Sequence, residues 1–299
     1  MRIGLIGYGE VGTIFGAALV RAGAQRVVAF DVLLADAAWS QQARARAERH
    51  GVVLAAKTDE AVRGADLVIC AVTAAQTRSA AEQIAATSDR GAFVLDVNSA
   101  SPHTKSSCAD IVERAGARYV EAAVMSAVPP HGLRVPMLLG GPYAQALQPM
   151  LAELGFDAKI GAGKYGVVSA VKLCRSVMIK GIEALAIESL LAARRYGVER
   201  EVLASLGETL PGIDWERQAT WSWQRVVQHG RRRAEEMREA AATVSDAGIE
   251  PRMSSATADV QAWIARLRAD GVFARAPQTP EWRDLADQVD RDPSAPRSP

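Results

Sequence analysis

A short apolar run that ends in a glycine cluster and opens directly into a helical pattern restricts this chain more than any other feature. The stretch Ile3-Gly4-Leu5-Ile6-Gly7-Tyr8-Gly9-Glu10-Val11-Gly12 carries G-x-G-x-x-G at Gly7, Gly9 and Gly12. Arg2–Ile6 reads as a buried strand, and the helix expected from Gly12 to Ala22 places Ile14, Phe15, Ala18 and Leu19 on one stripe. Arg26–Phe30 is a second strand, ending at Asp31. A strand, a glycine turn, a helix and an acid-terminated strand in this order form a β-α-β unit built to hold an anion.

Each glycine has a separate task. Gly7 allows the tight turn, Gly9 lets the backbone approach a pyrophosphate, and Gly12 lets the helix lie close to the strand. The backbone of Tyr8, Glu10 and Val11 completes the cradle, with the free N–H groups of the helix start facing the anion. Asp31 lies 19 residues after Gly12, where a carboxylate bonds both ribose hydroxyls of NAD. It would repel a 2′-phosphate, and Val32-Leu33-Leu34 offers no arginine to receive one. NAD is therefore favoured, with NADP left open. Two later strands, Asp66–Val72 and Phe93–Val97, bring Thr73 and Asn98 to the same carboxyl edge, placed to touch the nicotinamide riboside or amide.

These near-continuous apolar strands suit a parallel sheet covered on both faces, so the fold class expected is a doubly wound α/β Rossmann domain. Ala117–Val128 and Val135–Gly140 are further strand candidates, separated by Pro129-Pro130 and His131-Gly132. From Gly166 to Arg195 the pattern is helical with one glycine, Gly181. A helix of about 30 residues, roughly 45 Å long, suits a connection between two domains. The remainder of the chain reads as all-helical, including a helix opened by His229 and Gly230 and ending near Gly248. The expected organisation is a dinucleotide-binding domain at 1–163, an all-α domain at 164–286 and a disordered tail at 287–299, rich in Asp, Arg, Pro and Ser. Five of the six tryptophans fall after the long helix, at loose helical spacing that suits core packing rather than base stacking.

Composition narrows the partners. Lys plus Arg is 35 against 34 for Asp plus Glu, so a net charge of +1 gives no field to recruit nucleic acid or an anionic membrane. Cys70, Cys108 and Cys174 are odd in number and far apart, which points to reduced thiols and a cytoplasmic location. No apolar run reaches the roughly 18 residues of a membrane span. The four histidines stand apart from one another and from cysteine, so no metal site is expected. A small-molecule substrate remains.

The order of motifs resembles the β-hydroxyacid dehydrogenases, the group that includes 6-phosphogluconate and 3-hydroxyisobutyrate dehydrogenases. The resemblance rests on the N-terminal glycine motif, on a D-x-S/T-x-x-x-P segment at Asp96–Pro102, on a substrate segment and on an interdomain-helix lysine. The substrate segment D-A-P-V-S-G-G is matched loosely by Glu121-Ala122-Ala123-Val124-Met125-Ser126-Ala127, with both glycines replaced. The catalytic lysine of K-x-x-N-N or K-x-x-H-N corresponds to Lys172, but the next pair is Arg175-Ser176.

The resemblance implies hydride transfer between a carbinol carbon and nicotinamide C4, with Lys172 as general acid/base and Ser126, Ser176 and Asn98 as substrate donors. It also implies a homodimer formed through the helical domain. Arg232 or Arg233 could meet an anionic group, or form a solvated face with Glu235, Glu236 and Glu239. Two rivals stay open. One is an imine or enamine reductase on the same scaffold; the other is a catalytically inactive NAD(P)-binding sensor, motivated by the substituted asparagine and glycine pairs.

Overall fold

The computed structural model describes residues 1–291, which divide into two compact units, Met1–Leu173 and Cys174 onward. The division falls inside the long helix, ten residues past the boundary expected at 163.

In the first unit β1 (Arg2–Ile6) is followed by α1 (Glu10–Arg21), β2 (Arg26–Phe30), α2 (Ala37–His50), β3 (Val53–Leu54), α3 (Thr58–Val62) and β4 (Leu67–Cys70). Then come α4 (Thr77–Ala85), β5 (Phe93–Asp96), α5 (Pro102–Arg114), β6 (Arg118–Val124), β7 (Met137–Gly140), α6 (Ala144–Glu153) and β8 (Ala158–Ala162). They build one eight-stranded sheet in the order β3-β2-β1-β4-β5-β6-β7-β8. The apolar runs are buried on both faces because helices cover both. Leu5, Phe15, Leu139 and Phe156 belong to one layer, and Val68, Ile84, Val94 and Val112 to the other. This is the expected doubly wound α/β domain, with one departure. β7 runs antiparallel to β6, because residues 125–136 return the chain without a crossover helix. α6 then supplies the crossover that makes β8 parallel to β7.

The register aligns the carboxyl ends of the central strands. Ile6 pairs with Phe30 on one side and Cys70 on the other, and Cys70 pairs with Asp96. The chain leaves β1 and β4 on opposite sides of this point, which is where an open α/β sheet forms its crevice.

The second unit continues α7 (Val167–Tyr196) and adds α8 (Glu199–Thr209), α9 (Trp215–Asp246), α10 (Arg252–Ala269) and α11 (Trp282–Arg291). Its core holds Ile187, Leu203, Val226 and Ile264 around two fully buried tryptophans, Trp223 and Trp282. Two expectations change here. The helix expected from His229 begins instead at Trp215, where the Asp214 side chain accepts from the Arg217 N–H. Gly230 does not break it; a Cβ there would lie 2.8 Å from the Gln261 carbonyl oxygen, so the glycine is what lets α9 and α10 approach. The tail expected from 287 is helical as far as Arg291, with Val289 buried and Asp287 bonded to Arg194. The rest of that segment lies outside the described residues.

α11 is tied down by charge. Arg194 donates to Asp287 at 2.6 Å, and Arg283 and the Trp282 indole donate to Glu216 at 2.8 and 3.0 Å. Hydrogen bonds from Arg194 hold the Asp287 carboxyl below its ordinary range, and those from Arg283 and Trp282 do the same for Glu216. A depressed folded-state pKa contributes stability above the unfolded value, about 4 for these groups, and loses it as pH falls through the lowered value. Acidification below about pH 4 should therefore loosen α11, read as a change in Trp282 emission. Substituting Arg194 by methionine should move that transition to higher pH; an unaltered transition would refute the linkage.

Candidate active site

The glycine turn closes as its spacing requires. Gly7 has φ 97° and donates its N–H to the Phe30 carbonyl at 2.8 Å. A Cβ on Gly7 would overlap the Ala71 carbonyl, and one on Gly12 would overlap the Gly7 carbonyl. Gly9 faces open space, with nothing within 4 Å of where a Cβ would stand. The first i→i−4 bond of α1 runs from Thr13 to Gly9, so the amides of Val11 and Gly12 precede it without an intrahelical acceptor. A concave backbone, open at Gly9 and backed by a helix start, fits a pyrophosphate.

These glycines separate folding from binding. Gly7→Ala should lose stability by more than about 1 kcal/mol from its φ alone, before the overlap with Ala71 is counted. Gly9→Ala has room and an ordinary φ of −71°, so it should melt near the parent yet bind NADH more weakly. Thermal melts and NADH fluorescence titrations on both variants measure the contrast.

Tyr8 departs from its expected role. Its side chain is fully buried and its N–H donates to Asp31 Oδ2 at 2.7 Å. It lies in the layer formed with Phe15 and Leu19, and burial pushes its phenol pKa up. Its contribution is to aim Asp31. That carboxylate also accepts from the Leu33 N–H at 2.9 Å, and a carboxylate oxygen has a further lone pair for a ribose hydroxyl. Glu10 is exposed in the first turn of α1 and Val11 packs partly against the core.

At the next strand ends the two expected residues diverge. Thr73 lies just past β4 and is exposed. Asn98 is 4% exposed and spent internally: its Oδ1 accepts from the Val72 N–H at 2.7 Å and its Nδ2 reaches Cys70 Sγ at 3.3 Å. It braces β4 against β5.

Beneath it lies a buried cluster that the sequence reading did not single out. Lys105 Nζ is 2.8 Å from Asp96 Oδ1, and Tyr119 donates to Asp96 Oδ2 at 2.6 Å. A legible signal existed: Lys105 shares the apolar stripe of α5 with Cys108, Ala109 and Val112, an uncommon place for a cation without a partner.

α7 enters through Gly166 (φ 84°), whose missing Cβ makes room for Pro102. Two side chains then bind its first turns to the sheet. Ser169 donates to Glu121 Oε2 at 2.5 Å, and Lys172 Nζ donates to Ser99 Oγ at 2.6 Å. Burial raises the Glu121 pKa, against the Ser169 hydrogen bond. Lys172 is half-buried and Ser99 stands at the carboxyl edge of β5, next to Asn98. The expected catalytic lysine is thus brought to the edge that carries the glycine turn, by a serine absent from the expected set. Ser126 is exposed two residues beyond β6; Ser176 comes four residues after Lys172 on α7 and is buried.

The arginine triplet on α9 is occupied by carboxylates. Arg233 is buried against Glu183, Arg232 is 3.8 Å from Glu236, and Arg231 is 4.0 Å from Glu235. Lys180, whose pKa burial pushes down, donates to Glu236 at 2.5 Å. Among the described residues no group of His, Cys, Asp and Glu could hold a metal ion, and no helix is long and apolar enough to cross a membrane.

Residues 2–155 match the NAD binding domain of 6-phosphogluconate dehydrogenase. The chain belongs to that family. Residues 193–264 of this 6-phosphogluconate dehydrogenase-like chain match a domain of unknown function, DUF1932. Among solved structures, a conserved hypothetical protein from Sinorhizobium meliloti 1021 is 35% identical with a TM-score of 0.73, covering 96% of this chain and 97% of that one. A conserved protein described as structurally similar to 3-hydroxyacid dehydrogenases is 28% identical with a TM-score of 0.68, covering 91% of this chain and 99% of that one. The mitochondrial 3-hydroxyisobutyrate dehydrogenase of Drosophila melanogaster is 27% identical over 221 residues, 72% of this chain and 65% of that protein. The family is one of NAD(P)-binding domains, and the expected resemblance holds.

Proposed function

We propose that this family member is an NAD-dependent dehydrogenase or reductase that interconverts an alcohol and a carbonyl, a hydroxy acid or a related compound, with Lys172 as general acid/base. The observation that carries the reading is the Lys172–Ser99 hydrogen bond of 2.6 Å at the carboxyl edge of β5. It holds an amine beside the crevice framed by Gly7, Gly9, Asp31 and Thr73. A nicotinamide cofactor held by Gly7, Gly9, Asp31 and Thr73 would supply the hydride acceptor or donor. The neutral Lys172 amine takes the hydroxyl proton as the carbinol is oxidised, and the ammonium returns it to the alkoxide in reduction. Ser126 and Ser176 are the proposed substrate donors. A homodimer accompanies this reading.

Asp31 supports NAD over NADP. Its carboxylate is aimed by Tyr8 and Leu33, and Val32 and Leu33 beside it are 61% and 50% exposed, with no cation for a 2′-phosphate in that stretch. The replaced glycines of the substrate segment restrict the close backbone approach that a substrate carboxylate would use, which favours alcohols beyond simple hydroxy acids.

The test is reduction of NAD and of NADP, followed by absorbance, across hydroxy acids, polyols and aryl alcohols. Turnover with preference for NAD is the expected result. Turnover of cyclic imines alone would replace this reading with an imine reductase; a cofactor-induced rise in melting temperature without any turnover would replace it with a sensor.

A further inference from the structure

We propose that Ser99 is a positioning residue that sets the orientation and protonation of Lys172. The inference rests on the dehydrogenase reading and assigns Ser99 a part in it. Both partners are held from outside. The turn after β5 is fixed because Asp96 Oδ1 accepts from the Asn98 N–H at 2.9 Å, Lys105 donates to the Asp96 carbonyl at 3.1 Å, and Asn98 Oδ1 accepts from Val72. Ala100 and Ser101, the next two residues, are 1% and 3% exposed, and the Ser101 side chain caps α5. On the other side, the Ser169–Glu121 bond lies three residues before Lys172 and fixes the rotation of α7 about its axis. Nζ and Oγ therefore meet at 2.6 Å between two anchored elements, although 73 residues separate them in sequence.

Donor and acceptor counts give the chemistry. A neutral amine has two N–H bonds and one lone pair. When the Ser99 oxygen accepts one N–H, rotation about the terminal bond is restricted and the lone pair is aimed away from the serine. When Lys172 is an ammonium, the same oxygen accepts from the charged group and favours that form. Removing the hydroxyl should misdirect the lone pair and make the ammonium easier to deprotonate. The ionisable groups on the anchoring elements, Asp96 on β5, Lys105 on α5 and Glu121 on β6, stay the same in every variant.

The experiment compares wild type, Ser99→Ala, Ser99→Thr and Lys172→Ala, all as full chains. Two readouts are used: the pH profile of kcat and kcat/KM on the substrate found by the alcohol panel, and the pH dependence of Lys172 acetylation by acetic anhydride, read by peptide mass spectrometry without turnover. Ser99→Ala should lower kcat on the order of tenfold, the loss of one hydrogen bond to a charged group, with KM little changed. The acidic limb of the profile and the acetylation midpoint should both move to lower pH. Ser99→Thr, which keeps the hydroxyl, should restore both. If Ser99→Ala is poorly folded, Ser99→Cys takes its place and should shift the midpoint in the same direction, since a thiol accepts weakly. An acetylation midpoint equal to wild type in the alanine or cysteine variant would overturn the proposal. Full activity in Lys172→Ala would instead overturn the dehydrogenase base, while the acetylation readout still decides the part assigned to Ser99.

Discussion

Lys172→Ala should lower kcat/KM at least about a hundredfold, the scale of a lost general base, while NADH binding is unchanged. The amine stands 2.6 Å from Ser99 at the end of β5 and takes no part in the glycine turn, so its removal should leave the dinucleotide cradle intact. Lys172→Arg makes the test sharper. Arginine keeps the positive charge but stays protonated to about pH 12 and beyond, so it cannot accept the substrate proton. If Lys172 works by proton transfer, the arginine variant should be as inactive as alanine. If arginine restores turnover, the group works by charge alone and the acid/base assignment fails.

The second large effect concerns stability. Lys105→Met should destabilise the first unit by about 3–5 kcal/mol, because it strands a buried carboxylate. Asp96 and Lys105 are 2% and 0% exposed, and their 2.8 Å contact is the cationic partner this carboxylate has in the structure. The Tyr119 hydroxyl and the Asn98 N–H still donate to Asp96 but carry no charge to compensate it. Replacing both members, Asp96→Asn with Lys105→Met, should recover much of the loss, since a neutral pair needs no counter-charge. Denaturant unfolding of the single and double variants decides the matter. A double variant no more stable than Lys105→Met alone would show that the cost lies in packing instead.

The central strands were legible because each is a short apolar run bounded by glycine or acid. Arg2–Ile6 and Arg26–Phe30 are observed as read, and the long helix is observed as Val167–Tyr196 against an expected 166–195. The misreadings share a cause: each residue type fits two environments that differ only in three dimensions. Asn98 terminates a strand in either case, but only the neighbouring β4 shows that its amide binds Val72 and Cys70. Gly230 looked like a helix opening because glycine weakens helices, and it is tolerated because α10 lies against it. The direction of β7 turned on a connection without a helix, which apolar periodicity does not report.

Local chemistry alone was enough to place the dinucleotide cradle, since strand, glycines, helix start and Asp31 lie within one continuous stretch whose geometry is set by backbone sterics. Lys172 was nominated by the family resemblance, not by local chemistry. Pairings across long sequence separations belong to the tertiary structure. Ser99 with Lys172, Asp96 with Lys105 and Tyr119, and Ser169 with Glu121 exist because parallel strands align their carboxyl ends and α7 is anchored across them. A hydrogen bond needs its partners within about 3 Å, and no one-dimensional spacing encodes that distance for residues on different elements.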